Sequence, residues 1–354
     1  MDVQSRLPEE RKYEMKRTVI YLILTAAAAM QLLTTCERRP LEDDFGIMAL
    51  IPVKIDWSKS NIPVTDASGN GYVHRVSLRF FPKDGSPAFD RYLEMNVIED
   101  KIEVPIGEYS VVAFNESVYD VYWEDAIFFS EVNSYTNFAA TIIHDNAANY
   151  PHYRPLAGEE LIVAPFRLAS WSLDNFTITK ETVTRTRSTT KAGFREDGME
   201  NALTKIVMRP LTYNINITAH VEHLASVQLI QCAVRGFARK VYMASAKTGH
   251  SPATHVSKLN TRVWDAGSQT DGTVSKSFLS FGRLPQAEDY KINIDALFID
   301  GTLYDQQLLY DVTGQVIAAP NGEIDIGIDL AMQLPRITDG IFVGEWDDEV
   351  IRIN

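Results

Sequence analysis

The amino-acid sequence predicts an all-β fold of the antiparallel sandwich class, and three observations support this. Short runs in which apolar and polar residues alternate recur along the chain, as is typical of strands with one buried face. Turn-forming pairs such as Asn70-Gly71 and Asn321-Gly322 separate these runs and favour tight hairpins. One helical pattern lies between the runs, which disfavours a parallel α/β sheet.

Composition limits the function classes. A chain of 354 residues is long enough for two domains, and 45% hydrophobic with 23% charged residues is typical of a globular protein. The formal net charge of -13 disfavours a nucleic-acid partner, because phosphate binding requires a basic face. We therefore expect two folded domains and no nucleic-acid partner.

Residues 1–35 are predicted to be a leader with an export signal. Lys16 and Arg17 form a basic head, and the uncharged apolar run from residue 19 to 33 follows them. This run is shorter than the ~20 residues of a membrane-spanning helix and fits a secretory signal. Residues 1–14 mix acidic and basic side chains, so translation is predicted to start at Met15.

The signal ends in Leu33-Thr34-Thr35-Cys36, which resembles a bacterial lipobox. Leu33 and Cys36 fit that pattern, which predicts that Cys36 is lipidated, whereas Thr35 departs from the usual Gly, Ala or Ser. A plain signal peptide cut elsewhere, or an uncleaved anchor, is the alternative. Residues 36–44 are charged, contain Pro40 and are predicted to be an extended lipidated tether.

Residues 45–184 are predicted to form an N-terminal β-sandwich. Residues 185–200 lose large apolar side chains and gather Thr, Ser, Arg and Gly, which predicts a linker, although a long hairpin is the alternative. The predicted strands of this half are residues 48–57, 76–80, 89–97, 101–104, 107–115, 126–130, 138–143, 160–168 and 175–184.

Residues 201–354 repeat this texture and predict a C-terminal β-sandwich. Residues 224–237 show apolar side chains at three- and four-residue spacing, which predicts an amphipathic helix with a strand as the alternative. Asp300-Gly301 and Asn321-Gly322 predict the two turns of a meander, which joins the predicted strands 290–298, 303–312 and 324–330. The predicted strands are residues 202–208, 211–221, 290–298, 303–312, 324–330 and a closing strand near the end of the chain.

No residue pattern predicts catalysis, a metal site or a cofactor. The seven histidines lie outside any helical zinc motif and are predicted to be turn or surface residues. Adjacent acids such as Glu159-Glu160 are predicted to be solvated. Cys232 lies in an apolar stretch and is predicted to be a small buried hydrophobe. The chain is therefore predicted not to be an enzyme, although a hydrolase with acids converging in a cleft stays open.

The densest aromatic cluster surrounds Tyr119, Tyr122 and Trp123. Such side chains can stack on sugar rings from a loop, although in a sandwich they more often fill the core or its rim. A surface glycan-binding lipoprotein with this platform is therefore the alternative function.

Several short segments resemble the fimbrillin-like (Mfa-like) lipoproteins of Bacteroidales, of the anchor or minor-subunit type. The resemblance covers nearly the whole chain after the signal and has moderate specificity. It rests on residues 36–44, 51–57, 223–227, 234–238 and 242–245.

The resemblance implies two tandem transthyretin-like Greek-key β-sandwiches in a lipid-anchored protein of the outer membrane, exposed at the cell surface. The implied partners are the membrane, through the lipid, and other fimbrial subunits. Assembly would use strand addition, in which a sheet edge accepts a strand from a neighbour.

In such families a protease can remove the first strand, here residues 46–57, and cleavage after Lys59 or Arg75 would do so. If Cys36 keeps its lipid and the chain is not cut, the same strand tethers the domain to the membrane. We therefore expect an anchor or accessory role rather than a shaft role.

Overall fold

The structure, a computed structural model, describes residues 48–60, 62, 74–93, 98–117, 126–156, 158–179, 202–286, 289–304, 308–319 and 323–330. Its elements are almost all strands, which confirms the predicted all-β sandwich. The strands of the first part are β1 (Met48–Asp56), β2 (His74–Pro82), β3 (Phe89–Leu93), β4 (Glu99–Pro105), β5 (Gly107–Ser117), β6 (Ile127–Ser130), β7 (Ala139–Ile142), β8 (Leu161–Ile162) and β9 (Ala169–Ile178).

The remaining elements include one short helix, α1 (Thr313–Ala318), between the last two strands. The strands are β10 (Ile206–Val207), β11 (Arg209–Pro210), β12 (Tyr213–Val221), β13 (Val227–Ala238), β14 (Lys240–Tyr242), β15 (Pro252–Lys258), β16 (Thr261–Trp264), β17 (Gly272–Ser280), β18 (Lys291–Phe298), β19 (Leu308–Asp311) and β20 (Glu323–Leu330).

Two sheets enclose the first core. One has the strand order β10-β1-β4, and the other has the order β11-β9-β5-β2-β3. Alternate residues of β1, β2 and β5 point into the space between the sheets, as period-two strands require. Leu203, Ile206 and Met208 join this core, so the chain after residue 202 first completes the sandwich begun by β1.

Two further sheets enclose the second core. Their strand orders are β16-β17-β12-β20 and β19-β18-β13-β15-β8. The short strand β8 belongs to the first part of the chain and pairs in parallel with β15 through Leu161 and Ile162. Tyr290 belongs to this core and is almost fully buried.

A third core joins the two sheet pairs. Phe81 and Phe114 lie on the opposite face of β2 and β5 from the first core, and they pack with Phe138 beside β7 and Phe281 after β17. The small sheet β14-β7-β6 covers this cluster and contains strands from both parts of the chain. The two sheet pairs are therefore joined through an apolar core.

The predicted helix over residues 224–237 is wrong, and the strand alternative is correct. β13 pairs with β15 on one side and β18 on the other. A central strand that is buried on both faces does not alternate between apolar and polar residues. The apolar residues of β13 therefore had a spacing similar to that of an amphipathic helix. Gly236, at φ 95°, lies at the irregularity in the β13–β15 register, a backbone conformation that favours glycine.

The predicted meander is correct only in its first half. β18 and β19 are antiparallel neighbours, as expected. β20 instead pairs in parallel with β12 in the opposite sheet. The predicted closing strand near the end of the chain lies outside the described residues.

Two residue-level predictions are also wrong. Glu159 was expected to be solvated, but its side chain is 4% exposed and pairs with Arg235 of β13. His255 was expected at the surface, but it is buried with its ring centroid 4.0 Å from that of Phe278. Burial lowers the pKa of His255 to about 4, because the charged imidazolium loses its solvation.

Candidate functional site

The first strand, β1, is an integral part of the first core. Its residues alternate between exposed and buried positions, and Ala49, Ile51, Val53 and Ile55 are at most 3% exposed. Fully burying a branched side chain contributes roughly 1.5–3 kcal/mol. The buried face of β1 therefore stabilises this sandwich strongly.

Main-chain pairing holds β1 along its whole length. Its register with antiparallel β4 runs through seven residue pairs, from Met48↔Pro105 to Lys54↔Glu99. On its other side, β10 pairs in parallel at Ile55 and Asp56 only. Removing β1 would uncover Ile102 of β4 and leave the paired main-chain groups of β4 without partners, which would create a groove able to accept another strand.

A tight turn follows β1 and contains Lys59. Asp56 Oδ1 accepts a hydrogen bond from the Ser58 main-chain N–H at 2.8 Å, and this bond lowers the pKa of Asp56. Trp57 O accepts hydrogen bonds from both the N–H and the hydroxyl of Ser60, at 2.9 and 2.8 Å. Lys59 itself is exposed at the tip of this turn, where proteolytic nicking concentrates.

Arg75 occupies a different environment, within β2. It lies opposite Glu116 of β5 in the register, and its Nε donates to Glu116 Oε2 at 2.7 Å. Its guanidinium carbon lies 4.4 Å from the ring centroid of Tyr92 in the neighbouring strand β3. A protease would have to detach a paired strand to reach the peptide bond after Arg75.

The other sequence-predicted site residues divide into two groups. Cys36, Tyr119, Tyr122 and Trp123 lie outside the described residues, so the lipidation site and the glycan platform stay predictions. Cys232 is fully buried and forms no disulfide with another described residue. This confirms the prediction that it is a small buried hydrophobe. Burial raises the pKa of the Cys232 thiol to about 12.

Sequence reasoning missed the pairing of β10 with β1 and the compactness of the turn after β1. β10 lies within the predicted strand 202–208, but its parallel partner β1 is far away in sequence, and such pairing leaves no local pattern. The turn had a readable signal, because Asp56 and Ser58 have the spacing of an Asx turn.

Within the described segments, no group of three or more His, Cys, Asp and Glu side chains could hold a metal ion. In the same segments, no helix has the length and apolar character needed to cross a membrane.

The sequence and the fold of this chain are similar to those of known proteins. A family described as a domain of unknown function, DUF5119, matches residues 35–257. A proposed fimbrium anchoring subunit of Bacteroides ovatus, Fim4B, is 30% identical over 121 residues, which are 34% of this chain and 33% of that protein. The match thus spans about a third of the relative's length, and it confirms the predicted resemblance to fimbrillin-like proteins.

One solved structure shows a similar fold. A proposed adhesin from Bacteroides ovatus is 19% identical with a TM-score of 0.51, covering 85% of this chain and 98% of that one. The fimbrial anchor protein Mfa2 from Porphyromonas gingivalis is 12% identical with a TM-score of 0.41, covering 80% and 90%. The similarity to the adhesin crystal structure therefore supports the all-β fold of this chain.

Proposed function

The chain belongs to the DUF5119 family, and from this premise we propose that it is a structural subunit of a fimbria, in an anchor or accessory position. The sequence match to a proposed fimbrium anchoring subunit supports this role. The observation that carries it is the placement of β1, an early core strand paired along its length with β4 and followed by an exposed turn.

The proposed attachment runs through the lipid and then through β1. An acyl group on Cys36 would insert into the outer membrane, and a short charged tether would lead from Cys36 to Met48. A single acyl chain binds a membrane only marginally, so a stable anchor needs at least two chains. Pulling on this tether loads β1, whose pairing with β4 resists extraction.

The same geometry distinguishes an anchor from a shaft subunit. A cut after Lys59 would leave the lipid and β1 on one fragment and the remaining strands on the other. A shaft subunit would gain an acceptor groove from that cut, whereas an anchor would lose its covalent link to the membrane. The proposed anchor role therefore requires that the bond after Lys59 stays intact in the cell.

Fimbrial retention tests this proposal. In cells that carry Cys36→Ser, we expect fimbriae to be released into the medium, because the lipid attachment is lost. Cys232→Ala is the matched control, since it removes a thiol from the core and leaves the signal region unchanged. Fimbriae that remain on washed Cys36→Ser cells in wild-type amounts would overturn the anchor role.

A further inference from the structure

A groove of about 670 Å³ lies beside the junction of the two sheet pairs. The turn after β14 forms one wall, and the loop after β17 forms another. Thr136 and Asn137 contribute from the first part of the chain, and Tyr213 and Ile324 contribute from β12 and β20. Its volume is within the range of sites for small ligands.

The charge of this groove is opposite to that of the chain. Lys247, His250 and Arg283 line it, and no described lining residue is Asp or Glu. The chain as a whole carries a net charge of -13. In the described part of the chain, Lys247 has no side-chain ion pair, so no neighbouring carboxylate neutralises its charge. An anionic ligand would be attracted to this position.

Two aromatic rings complete the groove. Tyr213 packs against the backbone of Gly282, where a Cβ atom would lie 2.7 Å from the ring. Tyr242 also lines the groove, and Lys240 Nζ is 5.3 Å from its ring centroid. Among the described residues, neither tyrosine hydroxyl has a hydrogen-bond partner, so both can bond to a ligand.

The walls of the groove are held in place before any ligand arrives. Ala246 N–H donates to Tyr242 O at 2.8 Å, and Tyr242 N–H donates to Lys247 O at 2.9 Å. The Thr248 hydroxyl donates to Arg283 O at 2.6 Å and ties the turn to the loop. Ala246 adopts φ 55°, an unfavourable backbone conformation for a residue with a Cβ atom. Such preorganisation reduces the entropy lost on binding.

We propose that this groove binds a carboxylate-bearing saccharide. The C–H face of a sugar ring would pack on a tyrosine ring, and its hydroxyls would bond to the tyrosine hydroxyls and the Asn137 amide. The carboxylate would accept charge-assisted hydrogen bonds from Lys247 and Arg283. This site is separate from β1 and adds a ligand to the proposed assembly role.

Calorimetric titration of the purified protein tests the proposal. The acidic probes are a hyaluronan tetrasaccharide, sialyllactose and trigalacturonate, and the neutral probes are lactose and maltotetraose. An acidic pentapeptide represents the competing ligand class. The variant Lys247→Glu reverses one charge in the groove, and Lys258→Glu is the matched control at an exposed position on β15.

We expect at least one acidic saccharide to bind more tightly than every neutral one. Lys247→Glu should weaken that binding about tenfold or more, and Lys258→Glu should leave it within about twofold. Tyr242→Leu, which removes the ring and its hydroxyl but keeps an apolar side chain in the sheet, should also weaken it. Absence of binding to all three acidic saccharides, equal binding of neutral ones, or preference for the peptide would overturn the proposal.

Discussion

Glu159 is the side chain on which the packing of one long connection depends. It accepts hydrogen bonds from Arg235 and from the hydroxyls of Tyr153 and Thr254, the last at 2.7 Å. It also accepts the main-chain N–H of Leu156 at 3.0 Å. The segment between β7 and β8 is thereby fixed on the outer face of the sheet that contains β13 and β15.

The pKa of Glu159 reflects this environment. Burial alone would raise the pKa, but the hydrogen bonds from Arg235 and the two hydroxyls outweigh burial and lower it. A carboxyl whose folded pKa lies below its unfolded value of about 4.3 stabilises the fold above that value. This stabilisation is lost as the pH falls through the folded pKa.

Glu159→Gln should lower the free energy of unfolding at about pH 7 by roughly 3 kcal/mol, the lower end for a buried pair, because Arg235 keeps its charge at a side chain that is only 13% exposed. Between about pH 5 and pH 3, the wild type should lose more stability than the variant, since only the wild type carries the titrating group. Urea unfolding at a series of pH values measures both effects.

Glu99→Gln is the control for this experiment. Glu99 forms an exposed pair with Lys54, so its substitution should change stability by less than about 1 kcal/mol. If Glu159→Gln behaves like Glu99→Gln at both ends of the pH series, the buried network does not stabilise the connection as described.

The residue scale is where sequence reasoning was weakest. Glu159 and Glu160 are adjacent, and the sequence predicted that both are solvated. It could not show that an arginine far along the chain, Arg235, lies beneath one of them. Likewise, the burial of His255 depends on a stacking partner in the opposite sheet. Cys232, whose neighbours in sequence are apolar, was predictable from local information.

At the scale of elements, the two bonds proposed for cleavage differ in accessibility. Under native conditions, trypsin should cut after Lys59 well before it cuts after Arg75. The turn at Lys59 is exposed, whereas Arg75 lies in a strand paired with β3 and β5. Mass spectrometry of timed digests follows both products.

Lys59→Gln should remove the early product, and Arg75→Gln should leave it unchanged. After the cut, the fragment that contains β1 should stay bound until denaturant is added, because four buried residues and seven residue pairs retain it. Equal rates at the two bonds, or immediate loss of β1, would contradict the structure of this strand.

Strands with one solvated face were readable from the sequence, and others were not. β1 and β20 alternate along their whole length; β1 lies within its predicted range, and β20 begins one residue before its predicted range of 324–330. β13 does not alternate, because both of its faces are covered, and the helix prediction failed there. The parallel partnership of β20 with β12 could not be predicted, since pairing between distant strands leaves no local pattern.

At the scale of the molecule, the third core predicts that the two sheet pairs unfold together. Phe138 is fully buried there, and its ring centroid lies within 5.8 Å of those of Phe81, Phe114 and Phe129. The joined cores should therefore give one cooperative transition. Hydrogen exchange of peptides from β1 and β18 should report the same opening free energy.

Phe138→Ala should destabilise both sheet pairs by roughly 3–5 kcal/mol, because it leaves a cavity in the shared core. Phe128→Ala is the matched control, since Phe128 is 44% exposed and its loss should cost less than about 1 kcal/mol. If Phe138→Ala weakens protection in only one of the sheet pairs, the third core does not couple them.

The proposed role depends on what precedes β1 in the protein as it exists in the cell. Mass spectrometry of the amino terminus, on protein purified from the outer membrane, tests this most directly. An anchor predicts a mature chain that begins at an acylated Cys36 and continues unbroken through Lys59. A chain that begins after Lys59, or one that carries no acyl group, would contradict the anchor role.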